Sequence, residues 1–140
     1  MNQRQRSGAR TLILLAVAAA VAGSCANNAA KLTELQRVKS GTLDVVLLSP
    51  RDALRHGKDT FTIEFRSASG GNLVDVGTVR GSATMPMAGM PMMGSLDVQP
   101  TGVAGRYAAA CELPMAGTWR MTVQWEGAGQ GSVTFPGTVQ

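Results

Sequence analysis

Two segments with strict alternation of apolar and polar residues most constrain how this chain folds. In Thr60–Arg66 the residues Phe61, Ile63 and Phe65 are apolar, and in Trp119–Trp125 every odd-numbered position is apolar. Alternation with a period of two is typical of a β-strand with one buried face, whereas a helix repeats about every 3.6 residues. The two segments therefore predict strands that supply opposing halves of one apolar core.

Weaker alternation, interrupted by Gly, Pro, Asn and Asp, continues through most of the chain after Gly41. It predicts further strands over Leu43–Leu48, Leu73–Arg80, Ser95–Val98, Arg106–Leu113 and Ser132–Val139. Short strands at this spacing are typical of a sandwich, and no helical periodicity follows Gly41. The sequence thus predicts an all-β domain, an immunoglobulin-like β-sandwich of about seven strands.

The N-terminal segment has the composition of an export signal. Three arginines within the first ten residues precede an apolar run, Leu12–Ala22. This run of roughly eleven residues is shorter than the about 20 that a transmembrane helix needs. Residues 21–25 read Val-Ala-Gly-Ser-Cys and resemble the lipobox of bacterial lipoproteins. We expect a lipoprotein-type signal peptide over residues 1–24, with Cys25 as the lipidated first residue of the mature chain. Cleavage by the ordinary signal peptidase is the alternative.

The expected location follows from these residues. Ala26, rather than an aspartate, follows Cys25. This predicts a protein anchored by its lipid to the periplasmic face of the outer membrane, or a soluble periplasmic protein if Cys25 is not lipidated. Residues 25–40 are expected to form a tether, and residues 41–140 the β-sandwich domain.

The charge balance changes when the export signal is removed. The whole chain has 13 basic and 9 acidic residues and a formal net charge of +4. Residues 1–24 contain three arginines and no acidic residue, which leaves 10 basic and 9 acidic residues in the mature chain. Nucleic-acid binding, which depends on a strong excess of positive charge, is therefore not expected.

The cysteine count limits what the mature chain is able to form. If Cys25 carries lipid, Cys111 is the only thiol of the mature chain, and no intramolecular disulfide is expected. A lone cysteine is either a small buried hydrophobic residue or a soft metal ligand. The buried role is the expectation for Cys111.

A methionine-rich repeat is the most unusual part of the chain. Residues 85–94 read Met-Pro-Met-Ala-Gly-Met-Pro-Met-Met-Gly, and they hold five of the chain's eight methionines. Proline cannot donate a backbone hydrogen bond and glycine permits unusual dihedral angles, so a loop or a broken edge strand is expected. In an extended chain the two methionines of each Met-Pro-Met unit would point to the same side, about 7 Å apart.

Thioether sulfur is a soft, neutral donor that selects Cu(I) or Ag(I) over harder cations. The candidate ligands are Met85, Met87, Met90, Met92 and Met93, with Met115 in a neighbouring turn as a sixth. Packing is the competing interpretation, because methionines also fill gaps or form an adaptable apolar patch for a partner protein. Met121 and Trp119 are expected in the core, although the face of Trp119 is also able to hold Cu(I) by a cation–π contact.

No catalytic constellation is expected. His56, the single histidine, lies in a polar turn before the Phe61 strand and is expected to be solvated. A relay of the Ser-His-Asp or Cys-His type needs a base beside a nucleophile, and the acidic residues are scattered singly. The sequence therefore indicates a binding or structural protein and not an enzyme.

From about Gly41 to Val139 the chain resembles the YtkA-like domain, related to FixH-type proteins, of exported bacterial proteins. The resemblance is carried by the methionine repeat, by Gly105-Arg106-Tyr107 and by residues 113–119, Leu-Pro-Met-Ala-Gly-Thr-Trp. It implies an immunoglobulin-type β-sandwich and a link to copper or heavy-metal efflux and to copper-oxidase assembly. A partner from such a system is thus implied. This chain has no histidine near the repeat, which does not favour a mixed Met/His or Cu(II) site.

Overall fold

The computed structural model describes residues 30–140, and these residues form antiparallel strands without a helix. The predicted export signal and Cys25 lie outside the described residues. Within residues 30–140, no helical segment has the length and apolar character needed to cross a membrane. The strands are β1 (Thr33–Ser40), β2 (Leu43–Ser49), β3 (Gly57–Ser67), β4 (Thr78–Met85), β5 (Met92–Pro100), β6 (Arg106–Leu113), β7 (Gly117–Glu126) and β8 (Gln130–Val139).

The strands form one continuous sheet that folds over on itself. Their order is β1-β2-β3-β6-β5-β4-β7-β8. Strands β1, β2, β3, β6 and β5 form one layer, and β4, β7 and β8 form the other. The edge strands β1 and β8 approach each other, and a bridge joins Leu54 to Val139, so the structure is nearly a closed barrel. The prediction of an all-β, sandwich-like fold is confirmed.

The sheet begins earlier in the chain than the sequence pattern indicates. Strand β1 lies within the range expected to be a tether, and it accounts for the eighth strand. Leu35 and Val38 both pack against the core, although they are three residues apart. A β-bulge between Glu34 and Gln36 makes this possible, because it adds one residue to the strand. The bulge also interrupts the period-two pattern.

The strand expected over Leu73–Arg80 begins later than predicted. Strand β4 starts at Thr78, and the preceding residues form a connection in which Leu73 bridges to Arg66 and Val76 is buried. The Asp75 carboxylate accepts a hydrogen bond from the backbone N–H of Gly77 at 2.9 Å. This local turn delays entry into the sheet.

The core contains the residues that the two clearest alternations place inside. Phe61, Ile63 and Phe65 are buried on β3, and every odd-numbered residue from Trp119 to Trp125 is buried on β7. The ring of Phe65 contacts that of Trp125 edge to face, with 5.2 Å between centroids. The predicted core positions of Trp119 and Met121 are confirmed.

Strand β5 belongs to both layers. Its residues Met92–Gly94 pair with β4, and from Ser95 onward it pairs with β6. Beyond Gly94 the strands β4 and β5 therefore separate, and Leu96 packs against Gly81 between them. The hairpin that joins β4 to β5 consequently connects the two layers at one end of the sandwich.

Candidate functional site

The methionine repeat forms the hairpin between β4 and β5. The ladder ends with Met85 opposite Met92, and the six residues Pro86–Pro91 form the connecting loop. The predicted loop is therefore present, but it is shorter than the repeat. Pro86 and Pro91 lie directly outside the last paired residues, where a missing N–H removes no ladder hydrogen bond. Gly89, with φ of +91°, provides the left-handed conformation in the loop.

Met85 and Met92 form the inner methionine pair. They face each other directly across the antiparallel ladder, so their side chains point to the same side with Cβ atoms about 4.5–5.5 Å apart. That side is the interior, because Met85 is buried and Met92 is half-buried against the core. The structure thus pairs one methionine from each repeat unit across the hairpin.

Met87, Met90 and Met93 are the outer methionines. Met93 follows Met92 in β5 and so projects from the opposite face, while Met87 and Met90 belong to the loop. Their exposed fractions are 48%, 80% and 63%. Methionines this accessible on one short hairpin are able to meet an incoming ion or another protein, whereas a gap-filling role in the core would leave them buried.

The turn between β6 and β7 packs beside the inner methionine pair. The Met85 Cε methyl lies 2.7 Å from the point that a Cβ at residue 117 would occupy, and that residue is Gly117. Met115, two residues earlier, is 41% exposed. This end of the sandwich therefore holds the sixth candidate methionine close to the hairpin in the fold. The turn was visible in the sequence, but its contact with Met85 was not.

Trp119 is hydrogen-bonded to this turn and packs beneath the hairpin. Its indole Nε1–H donates a hydrogen bond to the Met115 carbonyl oxygen at 3.0 Å. Its ring lies under Gly94, where an added Cβ would stand 3.0 Å from the Trp119 Cζ3 atom. Trp119 is fully buried, so its role in the fold is to support the hairpin and the turn.

The candidate ligands at this end of the sandwich are all thioethers, which carry no charge. In the described part of the chain, no cluster of three or more His, Cys, Asp or Glu side chains has a geometry able to hold a metal ion. His56 is exposed in the turn before β3, and its Nδ1 lies 3.0 Å from the Gln140 carbonyl oxygen. The predicted solvated position of His56 is confirmed.

Cys111 lies in β6 with its side chain in the core, as predicted. Burial, together with the charge of the nearby Asp59 carboxylate, raises the pKa of the Cys111 thiol to about 11. At neutral pH the thiol is therefore protonated. A thiol that is buried and keeps its proton is a weaker metal ligand than an exposed thiolate, which fits the buried role expected for Cys111.

Tyr107 connects the two layers away from the methionines. Its hydroxyl donates a hydrogen bond to the Gly77 carbonyl oxygen at 2.8 Å, and its ring contacts Phe65 edge to face. The Gly105-Arg106-Tyr107 motif therefore ties β6 to the connection before β4.

Together these features define an all-β sandwich domain that carries a methionine-bearing hairpin at one end. A model of the YtkA-like family matches residues 37–124, which include this hairpin and most of the strands. The match covers more than half of the chain, and the protein belongs to the YtkA-like family. A search of curated proteins found no match.

Proposed function

We propose that this protein is an exported, non-enzymatic metal-binding protein of copper handling or efflux. It holds Cu(I) or Ag(I) with thioethers of the β4–β5 hairpin and transfers the ion to or from a partner. The observation that carries the proposal is the direct pairing of Met85 with Met92 beneath a loop that exposes further thioethers.

The chemistry of the donor set favours a soft monovalent ion. Thioethers are uncharged, so they cannot compensate the higher charge of Zn(II) or Ca(II), which require anionic or harder ligands. Met85 and Met92 supply two sulfurs on one face, and Met115 in the neighbouring turn is available as a third. Because a thioether has no proton to lose, affinity should change little near neutral pH.

Transfer is supported by the split between inner and outer methionines. Met87, Met90 and Met93 are exposed to solvent, where the ligands of a partner have access to them. Thioether–metal bonds are weaker than thiolate bonds and permit ligand exchange. The partner we propose is a metal-efflux or copper-oxidase assembly protein of the cell envelope.

A second function is favoured by the same exposure. The domain would be a structural or adaptor β-sandwich lipoprotein whose methionine loop contacts a partner envelope protein without metal. Clustered exposed apolar side chains often mark protein interfaces. The two functions differ in whether the sulfur atoms themselves are required.

The ion titration separates these two functions. The mature protein is titrated with Ag(I), and with Cu(I) against a competing chelator. Met85→Leu/Met92→Leu keeps the apolar volume nearly constant but removes the inner sulfurs, and the affinity should fall by at least about tenfold. Met121→Leu is the matched control, because it makes the same change in the core of β7 and should leave the affinity unchanged. If the wild-type protein binds neither ion, the metal proposal is wrong and the adaptor role gains support.

The proposed location depends on Cys25. We propose that Cys25 is lipidated and anchors the protein to the periplasmic face of the outer membrane, with a soluble periplasmic form as the alternative. Cys25→Ser should block processing or release the protein into the soluble periplasmic fraction. An intact mass in the native host that corresponds to an unmodified mature N-terminus would contradict lipidation.

A further inference from the structure

We infer that the outer methionines, above all Met90 and Met93, form a site of reversible sulfoxidation by peroxide, which switches off ion binding without unfolding the domain. The switch rests on the proposed function, since it regulates the same hairpin. The modification itself does not depend on metal binding and is measured separately.

Solvent access differs widely among the methionines of the described chain, and Met90 and Met93 are the most exposed of them. Met90 and Met93 are 80% and 63% exposed, whereas Met85 and Met121 are 7% and 1% exposed. An oxidant dissolved in water reaches exposed sulfur first. The two buried methionines therefore serve as internal references for the reaction in the same molecule.

The reaction is a balanced oxygen transfer. A lone pair on the thioether sulfur attacks one oxygen of hydrogen peroxide, so that an S–O bond forms and the O–O bond breaks. The departing hydroxide takes up the proton of the transferred oxygen and leaves as water. The sulfur is oxidised by two electrons and the peroxide is reduced by two, and the product is methionine sulfoxide.

The product is a poor ligand for the proposed cargo. A sulfoxide presents a hard oxygen atom, and its sulfur has lost one lone pair to the new bond. Met90 and Met93 belong to the proposed donor set of the hairpin. Cu(I) and Ag(I) prefer soft donors, so the loss of these two thioethers should lower the affinity even while Met85 stays unoxidised. Methionine sulfoxide reductases reverse the modification, which makes the change a switch.

The fold tolerates the modification at these positions. Met90 lies in the loop between Gly89 and Pro91, and Met93 projects from the outer face of β5. A new polar oxygen at either position remains in water. The same oxygen on Met85 or Met121 would be buried within the apolar core, which is unfavourable. Regulation at the outer methionines is therefore separated from stability.

The experiment treats the mature protein with limiting hydrogen peroxide and locates each added oxygen, about 16 Da, by peptide mass mapping. Met90 and Met93 should be oxidised well before Met85 and Met121, with little change in the unfolding transition. The inference of a selective site is overturned if Met85 or Met121 reacts as fast as Met90, or if the reaction unfolds the domain.

Ag(I) titration of the oxidised protein tests the switch. The affinity should fall by at least about tenfold, and treatment with methionine sulfoxide reductases A and B should restore it. Met90→Leu/Met93→Leu removes the same two sulfurs, so its Ag(I) affinity should already be lower than that of the wild-type protein, and the same peroxide dose should lower it little further. Unchanged Ag(I) affinity after oxidation would overturn the switch and leave the metal proposal standing. Selective oxidation of a protein that never binds Ag(I) would support the modification site and reject the metal proposal.

Discussion

Met85 fills the space that a side chain at residue 117 would need. Its Cε methyl lies 2.7 Å from the position of a Cβ there, and Gly117 adopts φ of +141°, a backbone conformation that L-residues rarely occupy. Gly117 therefore does two things at once. It lets the chain turn into β7, and it leaves room for the inner methionine pair beneath the hairpin.

Gly117→Ala should destabilise the domain by about 1–3 kcal/mol, mainly because alanine is strained in this conformation. The new methyl group should also displace the flexible end of Met85, which a change in the NMR signal of its methyl group would report. Gly129→Ala is the matched control, because no atom lies within 4 Å of a Cβ at that exposed position. Equal urea midpoints for the two variants would contradict the role of Gly117.

Local alternation was sufficient to predict the central strands and the core, since Phe65 and Trp125 occupy regular positions in β3 and β7. Strand β1 was not predicted, because the bulge at Leu35 hides its period. The pairing of Met85 with Met92 was also not predicted. It depends on where the ladder ends, and a repeat of five residues does not determine that position.

The sequence also did not predict which of the candidate methionines are buried and which are exposed. All the candidate methionines have the same side chain, yet Met85 is buried and Met90 is exposed. The difference arises because Met85 is the last paired residue of β4 and faces the core, whereas Met90 lies in the loop beyond the ladder. The repeat itself does not show where the ladder ends.

Trp119 should be one of the most sensitive core positions. It is fully buried and connects the turn at Met115 to the interior beneath Gly94. Trp119→Ala should lower the free energy of unfolding by about 3–5 kcal/mol, because it leaves a large cavity. Trp119→Phe should cost less, since it keeps a ring and loses the indole hydrogen bond. A denaturation midpoint that barely changes in the alanine variant would contradict this position.

Glu64 should stabilise the outer face of β3. Its side chain is fully buried between two arginines, and it accepts hydrogen bonds from Arg66 Nε at 2.7 Å and Arg106 Nε at 2.8 Å. Glu64→Gln removes the charge that both guanidinium groups contact, and should cost about 1–3 kcal/mol, moderated because the arginines reach water. Glu112→Gln, at an exposed position of β6, should have little effect in the same urea titration. Equal losses in the two variants would contradict a special role for Glu64.

Cys111 should make the domain sensitive to alkaline pH. Burial raises the pKa of its thiol from the ordinary value of 9.0 to about 11, and the charge of Asp59, its partner across β3 and β6, acts in the same direction. The folded state thus holds the proton more tightly than the unfolded state. This contribution to stability is complete below about pH 9 and is lost as the pH rises through about 11. Urea midpoints measured across this range should fall.

Cys111→Ala measures how much of the loss of stability at alkaline pH is due to the thiol. Burial also raises the pKa of the Tyr107 hydroxyl, so both groups favour the folded state less as they ionise at high pH. The alanine variant should be less stable at neutral pH, because it loses a buried side chain, yet it should lose less stability between about pH 9 and 11 than the wild-type protein. The native thiol should react slowly with a thiol reagent at neutral pH and quickly once the protein is unfolded. Rapid reaction of the folded protein would mean that Cys111 is accessible as a thiolate, and would return it to the set of candidate metal ligands.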